Sequence, residues 1–173
     1  MTNANDIYVI CYEGKAEITL FGFLKNNFCK NNKTFKPELI EGFDTLEVFQ
    51  RKYVKILKRW SFKPTALKQK IHFIFLVDKD LDDSSKIEKF IADNGHIVQF
   101  CNPNTEAVLL GLAGSNVIQD GNLKDFRAKC KAKFKEKFDK EAHKMKDTDL
   151  VVLIKDEATF TKTFPQLNSI FND

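Results

Sequence analysis

Short, wholly apolar runs alternate along this chain with longer stretches whose apolar residues recur every three or four positions. Ile7-Tyr8-Val9-Ile10-Cys11 and Phe73-Ile74-Phe75-Leu76-Val77 are rich in β-branched and aromatic residues, and each stops abruptly at a polar cluster. Such runs read as strands buried on both faces, as the strands of a parallel sheet are. The pattern predicts strands over 7–11, 35–41, 71–77 and 96–100, with Pro37 placing the second near a sheet edge. Helical spacing of Ile18, Phe21, Leu24 and Phe28 predicts a helix from 14 to about 31. Another runs from an Asp44 cap to about 59, with Glu47 completing a capping box. The stretch 60–70 holds Pro64 and predicts irregular chain. Ser84 or Ser85 is the expected cap of a third helix, stopped by Asn94-Gly95, and Asn102-Pro103 opens a fourth that reaches about Gly114. Beyond a loop at 114–122, Leu123, Phe126, Cys130, Phe134, Phe138, Ala142 and Met145 keep one apolar stripe and predict a single long helix over 123–146. The tail adds an apolar run at 150–154, then one more helix carrying Phe160, Phe164, Leu167, Ile170 and Phe171.

Strands alternating with helices argue an α/β fold: a parallel sheet of about four strands, helices on both faces, right-handed crossovers and a helical C-terminal appendage. At 173 residues and 43% hydrophobic, the chain can bury a sizeable core, and its length suggests one domain. The core spans about 7–113 and the helical part about 122–173. No apolar stretch approaches the roughly 18 residues of a membrane span, and the first residues lack a signal-peptide pattern. The expectation is a cytoplasmic protein with no membrane partner. Cys11, Cys29, Cys101 and Cys130 are widely spaced, with no CxxC, and predict free thiols in a reducing compartment.

Acidic residues gather where the apolar runs stop. Glu13-Gly14 follows the first run, and Asp78-Lys79-Asp80 follows the third. Ligands of open parallel sheets bind outside the carboxyl ends of the strands, and carboxylates there can hold a hard divalent cation through oxygen. Asp78 and Asp80 lie on the same side of an extended chain and repel unless a cation sits between them or one takes a proton. Asp82 and Asp83 follow at once, which also fits an acidic, solvated turn before a capped helix. Glu17 and Glu106 each fall in the first turn of a predicted helix, where the helix dipole favours an acid in any case. Lys15 faces either a phosphate or solvent. His72, His96 and His143 have no metal-ligand spacing, and Ser84-Ser85 has no base near it in sequence, so neither set predicts catalysis.

Taken together, these motifs resemble the Toprim domain, whose hallmark is Glu-Gly after the first strand and Asp-x-Asp after a later one. Here those are Glu13-Gly14 and Asp78-Lys79-Asp80. Within that family the chain is similar to the RloB-like and OLD-family nuclease branch. Glu13 to Glu17 matches its Glu-Gly-x-x-Glu, and Asn102, Pro103 and Glu106 match its Asn-Pro-x-x-Glu before an apolar helix. The likeness spans about 7–113; Thr105 and Ala107 stand where such chains carry bulky residues, and no Walker A pattern occurs. The resemblance implies a Mg²⁺- or Mn²⁺-dependent nuclease acting on DNA or RNA, of a class found in defence against phage or plasmids. It implies Glu13, Asp78 and Asp80 as catalytic metal ligands, with Glu17 and Glu106 as further ligands, and leaves general acid–base catalysis as the alternative role of Glu13. A partner ATPase or another defence protein is among the partners it implies.

The lysine-rich stretch bears on substrate. Lys124, Arg127, Lys129, Lys131, Lys133, Lys135, Lys137 and Lys140 fit a phosphate backbone, and fit equally a solvated face paired with Asp125, Glu136, Asp139 and Glu141. On the first reading Lys15, Arg127, Lys131 and Lys135 contact nucleic acid. A net charge of +4 is mild and predicts modest non-specific affinity. The alternative to a nuclease is a non-catalytic Toprim-like module that binds nucleic acid or protein. A phospho-receiver domain also uses acids at strand ends, but this chain has no lone acceptor Asp followed by the expected Thr and Lys strand ends.

Overall fold

The computed structural model describes residues 6–40, 42–61, 70–79, 83–102 and 104–172. Its sheet is built from β1 (Ile7–Tyr12), β2 (Thr34–Leu39), β3 (Ile71–Asp78) and β4 (Ile97–Cys101), all parallel, in the order β2-β1-β3-β4. β1 is central and lies in register with both neighbours, Ile7 opposite Thr34 and Ile71. That position explains its unbroken apolar run: Val9, Ile10 and Cys11 are fully buried whichever way they point. β2 is an edge strand, so Pro37, which cannot donate to a ladder, is tolerated there.

The helices are α1 (Lys15–Phe28), α2 (Leu46–Ser61), α3 (Ser84–Asp93), α4 (Thr105–Leu112), α5 (Leu123–Phe138), α6 (Asp147–Leu153), α7 (Glu157–Thr163) and α8 (Pro165–Asn172). Alternation along β1 and β3 sends Tyr8, Ile10, Ile74 and Leu76 to one face, where they pack with α1 and the helices from α4 onward. Ile7, Val9, Cys11, Phe73, Phe75 and Val77 go to the other face, against α2 and α3. The chain steps outward from β1 to β2 through α1, then back across to β3 through α2. Its direction reverses and its crossover helix changes face together, as connections of one hand require.

The C-terminal helices are part of this core. Phe134, Leu150, Phe160, Phe164 and Phe171 join the same buried cluster as Ile10, Leu20 and Leu24. Each such phenylalanine contributes about 1.5–3 kcal/mol by leaving water. Among the described residues, no helix is long and apolar enough to cross a membrane.

Several helix ends depart from the sequence expectations. The 123–146 helix stops at Phe138, because Asp139 adopts the left-handed region at φ 53°; a 3-10 turn, Ala142–Lys144, and α6 follow. The last predicted helix is two, broken at Phe164, with Pro165 opening the second. Asp44 does not cap α2: Thr45 accepts the Val48 N–H, and Asp83 accepts the Leu46 N–H at 3.0 Å. Asp83, rather than either serine, takes the cap position of α3, although its side chain serves α2. Asn104 caps α4 by accepting the Ala107 N–H at 2.9 Å, while Pro103 lies outside the described residues. Most of the 60–70 stretch also lies outside them; α2 continues to Ser61.

Candidate active site at the carboxyl edge of the sheet

Strand order locates the crevice. The connections from β1 and β3 leave in opposite directions, one to β2 and the other to β4, so the sheet's switch point lies between these two strands. Ligands of open α/β sheets bind at such a point, beyond the carboxyl ends. Glu13 directly follows Tyr12, which pairs with Leu76, and Asp78 ends β3 two residues later, opposite Cys101 of β4. The two carboxylate residues therefore leave the sheet side by side, flanking the switch point. Asp80, the third residue of the expected set, lies outside the described residues.

Asp78 is buried, and Arg127 of α5 reaches it, Nη2 donating to Oδ2 at 3.4 Å. Lys79, whose backbone N–H donates to the Cys101 carbonyl at 3.0 Å, lays its ammonium 5.2 Å from the centre of the Phe100 ring. Glu17, in the first turn of α1, is also buried, and its Oε1 accepts the Thr105 hydroxyl at 2.7 Å. Gly14 makes room for it: a Cβ there would come within 2.8 Å of Glu17 Oε2. The Gly14 backbone is extended, at φ −144°, so space and not conformational freedom is what this position requires.

Cys101 pairs with Asp78 across the sheet and lies buried. Burial pushes its thiol well above the ordinary range, and the carboxylates of Asp78, Glu17 and Glu106 push the same way against a hydrogen bond with Thr105. Glu106, half-buried on α4, is held above the ordinary carboxylate range by burial and by Glu17, with Lys131 and Arg127 opposing. The Thr105 hydroxyl ties Glu17 of α1 to the helix that carries Glu106, and Arg127 ties α5 to Asp78 of β3. Lys131 and Lys135 are exposed and, with Glu106, Glu141 and His143, line a cleft of about 330 Å³. Lys15 is exposed at the start of α1.

The donor chemistry at this edge, all carboxylate, is that of Mg²⁺ or Mn²⁺. Among the described residues, no group of three or more His, Cys, Asp and Glu is arranged to hold an ion. Two of the histidines take structural posts: His72 meets Asp6 at 3.0 Å, and His96 meets the Tyr53 hydroxyl at 2.7 Å. Thr105, noted in the sequence only as a departure from bulky residues, turns out to anchor Glu17. No family model, no curated protein and no solved structure matches this chain.

Proposed function

We propose that the carboxyl edge is a Toprim-type active site that hydrolyses phosphodiester bonds of DNA or RNA with a bound Mg²⁺ or Mn²⁺. The observation that carries this reading is the coincidence of place and chemistry: Glu13 directly follows, and Asp78 ends, the two strands that flank the switch point. With Asp80 they would hold the cation, and Glu17 and Glu106 are further oxygen donors. When bound, the cation would neutralise charge on the scissile phosphate and acidify an attacking water. Arg127 pairs with Asp78, and its guanidinium has the fork geometry that suits a phosphate. Lys131 and Lys135 would take phosphates flanking the reacting one, and the Thr105 hydroxyl keeps Glu17 in a single orientation.

Cleavage of labelled duplex DNA, single-stranded DNA and RNA, with Mg²⁺ or Mn²⁺, tests the reading through Asp78→Asn. Loss of a principal ligand should slow cleavage by roughly a hundredfold or more, equivalent to about 2.8 kcal/mol of transition-state stabilisation, while nucleic-acid affinity persists. A second reading, a non-catalytic nucleic-acid-binding module, draws on a specific observation. Asp78 already faces Arg127, and Glu17 already faces Thr105, so the protein answers both with its own groups. Wild-type protein that binds these nucleic acids and cuts none of them with either metal would decide for the module.

A further inference from the structure

α2 lies on the opposite face of the sheet from α5 and carries a second cationic surface. Its sequence holds five cations, Arg51, Lys52, Lys55, Lys58 and Arg59, against one acid, Glu47. The local balance equals the +4 of the whole chain. Lys55 has like charges one turn away in both directions, at Arg51, Lys52, Lys58 and Arg59, a spacing that destabilises an isolated helix. Arg59 is answered by Glu38 of β2, whose Oε2 also accepts the Trp60 indole N–H at 3.0 Å. Among the described residues, Arg51, Lys52, Lys55 and Lys58 pair with no carboxylate.

α5 also carries lysines with no carboxylate partner among the described residues, but it mixes them with Asp125 and Glu136, and its Arg127 is paired with Asp78, Lys129 with Asp120, and Lys137 with the Ser115 hydroxyl. On α2, where Glu47 is the one acid, the unanswered cations share an open surface of the helix with Val48 and Val54. That surface begins near the carboxyl edge, because the Leu46 N–H at the start of α2 is held by Asp83, five residues past Asp78. From Arg51 to Lys58 the helix rises about 10 Å, matching about three phosphates of one duplex strand.

We propose that Arg51, Lys52, Lys55 and Lys58 of α2 form a track for the phosphate backbone of a nucleic acid engaged at the carboxyl edge. This rests on nucleic acid being the ligand of that edge, and not on its being cleaved. Charge complementarity selects the partner: a row of cations without acids fits a polyanion, and the start of the row beside the acidic edge fits one that extends away from it.

The test is fluorescence anisotropy of the full chain with labelled duplex DNA, single-stranded DNA and RNA across a salt series. Arg51→Glu/Lys55→Glu should weaken binding by about tenfold or more and make the log–log salt slope shallower by about two, as fewer counterions are released. Arg51→Gln/Lys55→Gln should weaken it in the same direction without adding repulsion. Both variants should melt at or above the wild-type temperature, since a like-charge contact has gone. Affinity and slope unchanged in both variants would overturn the track, even where Lys131→Glu/Lys135→Glu weakens binding. So would a wild type that binds none of the three nucleic acids, including one that binds anionic phospholipid vesicles instead. Binding that is lost in the α2 variants, in a protein that cuts nothing, would uphold the track while removing the hydrolase.

Discussion

Thr105 Oγ1 donates to Glu17 Oε1 at 2.7 Å with both residues buried, so neither group has water to fall back on. Thr105→Val keeps the shape and removes the donor. It should cost about 1–3 kcal/mol, the penalty for a buried acceptor left without its partner, seen as a lower denaturant midpoint at an unchanged slope. The pair joins positions 88 residues apart, which is why Glu17 was legible as a first-turn acid while its anchor was not. Glu106 gives a prediction in pH. Burial raises its carboxyl above the ordinary range, so the folded state keeps this proton longer than the unfolded chain does. Below the ordinary carboxylate range the group carries no penalty; as pH rises to its folded value, stability is lost. Glu106→Gln removes that titration. With chelator present, its melting temperature should exceed that of wild type above the window, and the two curves should meet at low pH.

The strands were the most legible elements, because a parallel strand buried on both faces leaves a mark that does not depend on distant partners. Helix termini were the least. Asp83 caps α2, an element it precedes by neither sequence nor register, and no local pattern announces such a cap. α5 was expected to run on to 146 because its apolar stripe continues through Ala142 and Met145; both residues are indeed buried, but on the 3-10 turn and the segment after it. The stop is set by Asp139, whose N–H donates to the Lys135 carbonyl at 2.9 Å while its backbone takes φ 53°. Glycine is the usual residue at such an end, and its absence hid the boundary. Asp139→Gly should therefore relieve the left-handed cost and stabilise the protein by up to about 1 kcal/mol, read as a raised melting temperature. Asp139→Val, β-branched, should do the opposite.

At the scale of the molecule, the partition of β1 and β3 into two cores follows from period-two alternation, but strand order does not follow from sequence. That order turns Glu13 and Asp78 from two separate motifs into neighbours flanking a switch point. The acids of Glu17 and Glu106 were read from helix starts, and their approach to Cys101 came only with the packing of α1 and α4 on one face. The charge of α2 is hidden in the composition for a simpler reason: a chain total of +4 averages its cations with acids elsewhere. On the proposed function the carboxyl edge binds a divalent cation, and thermal unfolding against Mg²⁺ or Mn²⁺ concentration after chelator treatment reads that binding without requiring cleavage. An ion held only by the native state stabilises it by about 2.7 kcal/mol at a hundred times its dissociation constant. The wild-type melting temperature should rise with metal, fall back with chelator, and stay flat in Asp78→Asn; no rise in wild type, or an equal rise in both proteins, would contradict the claim.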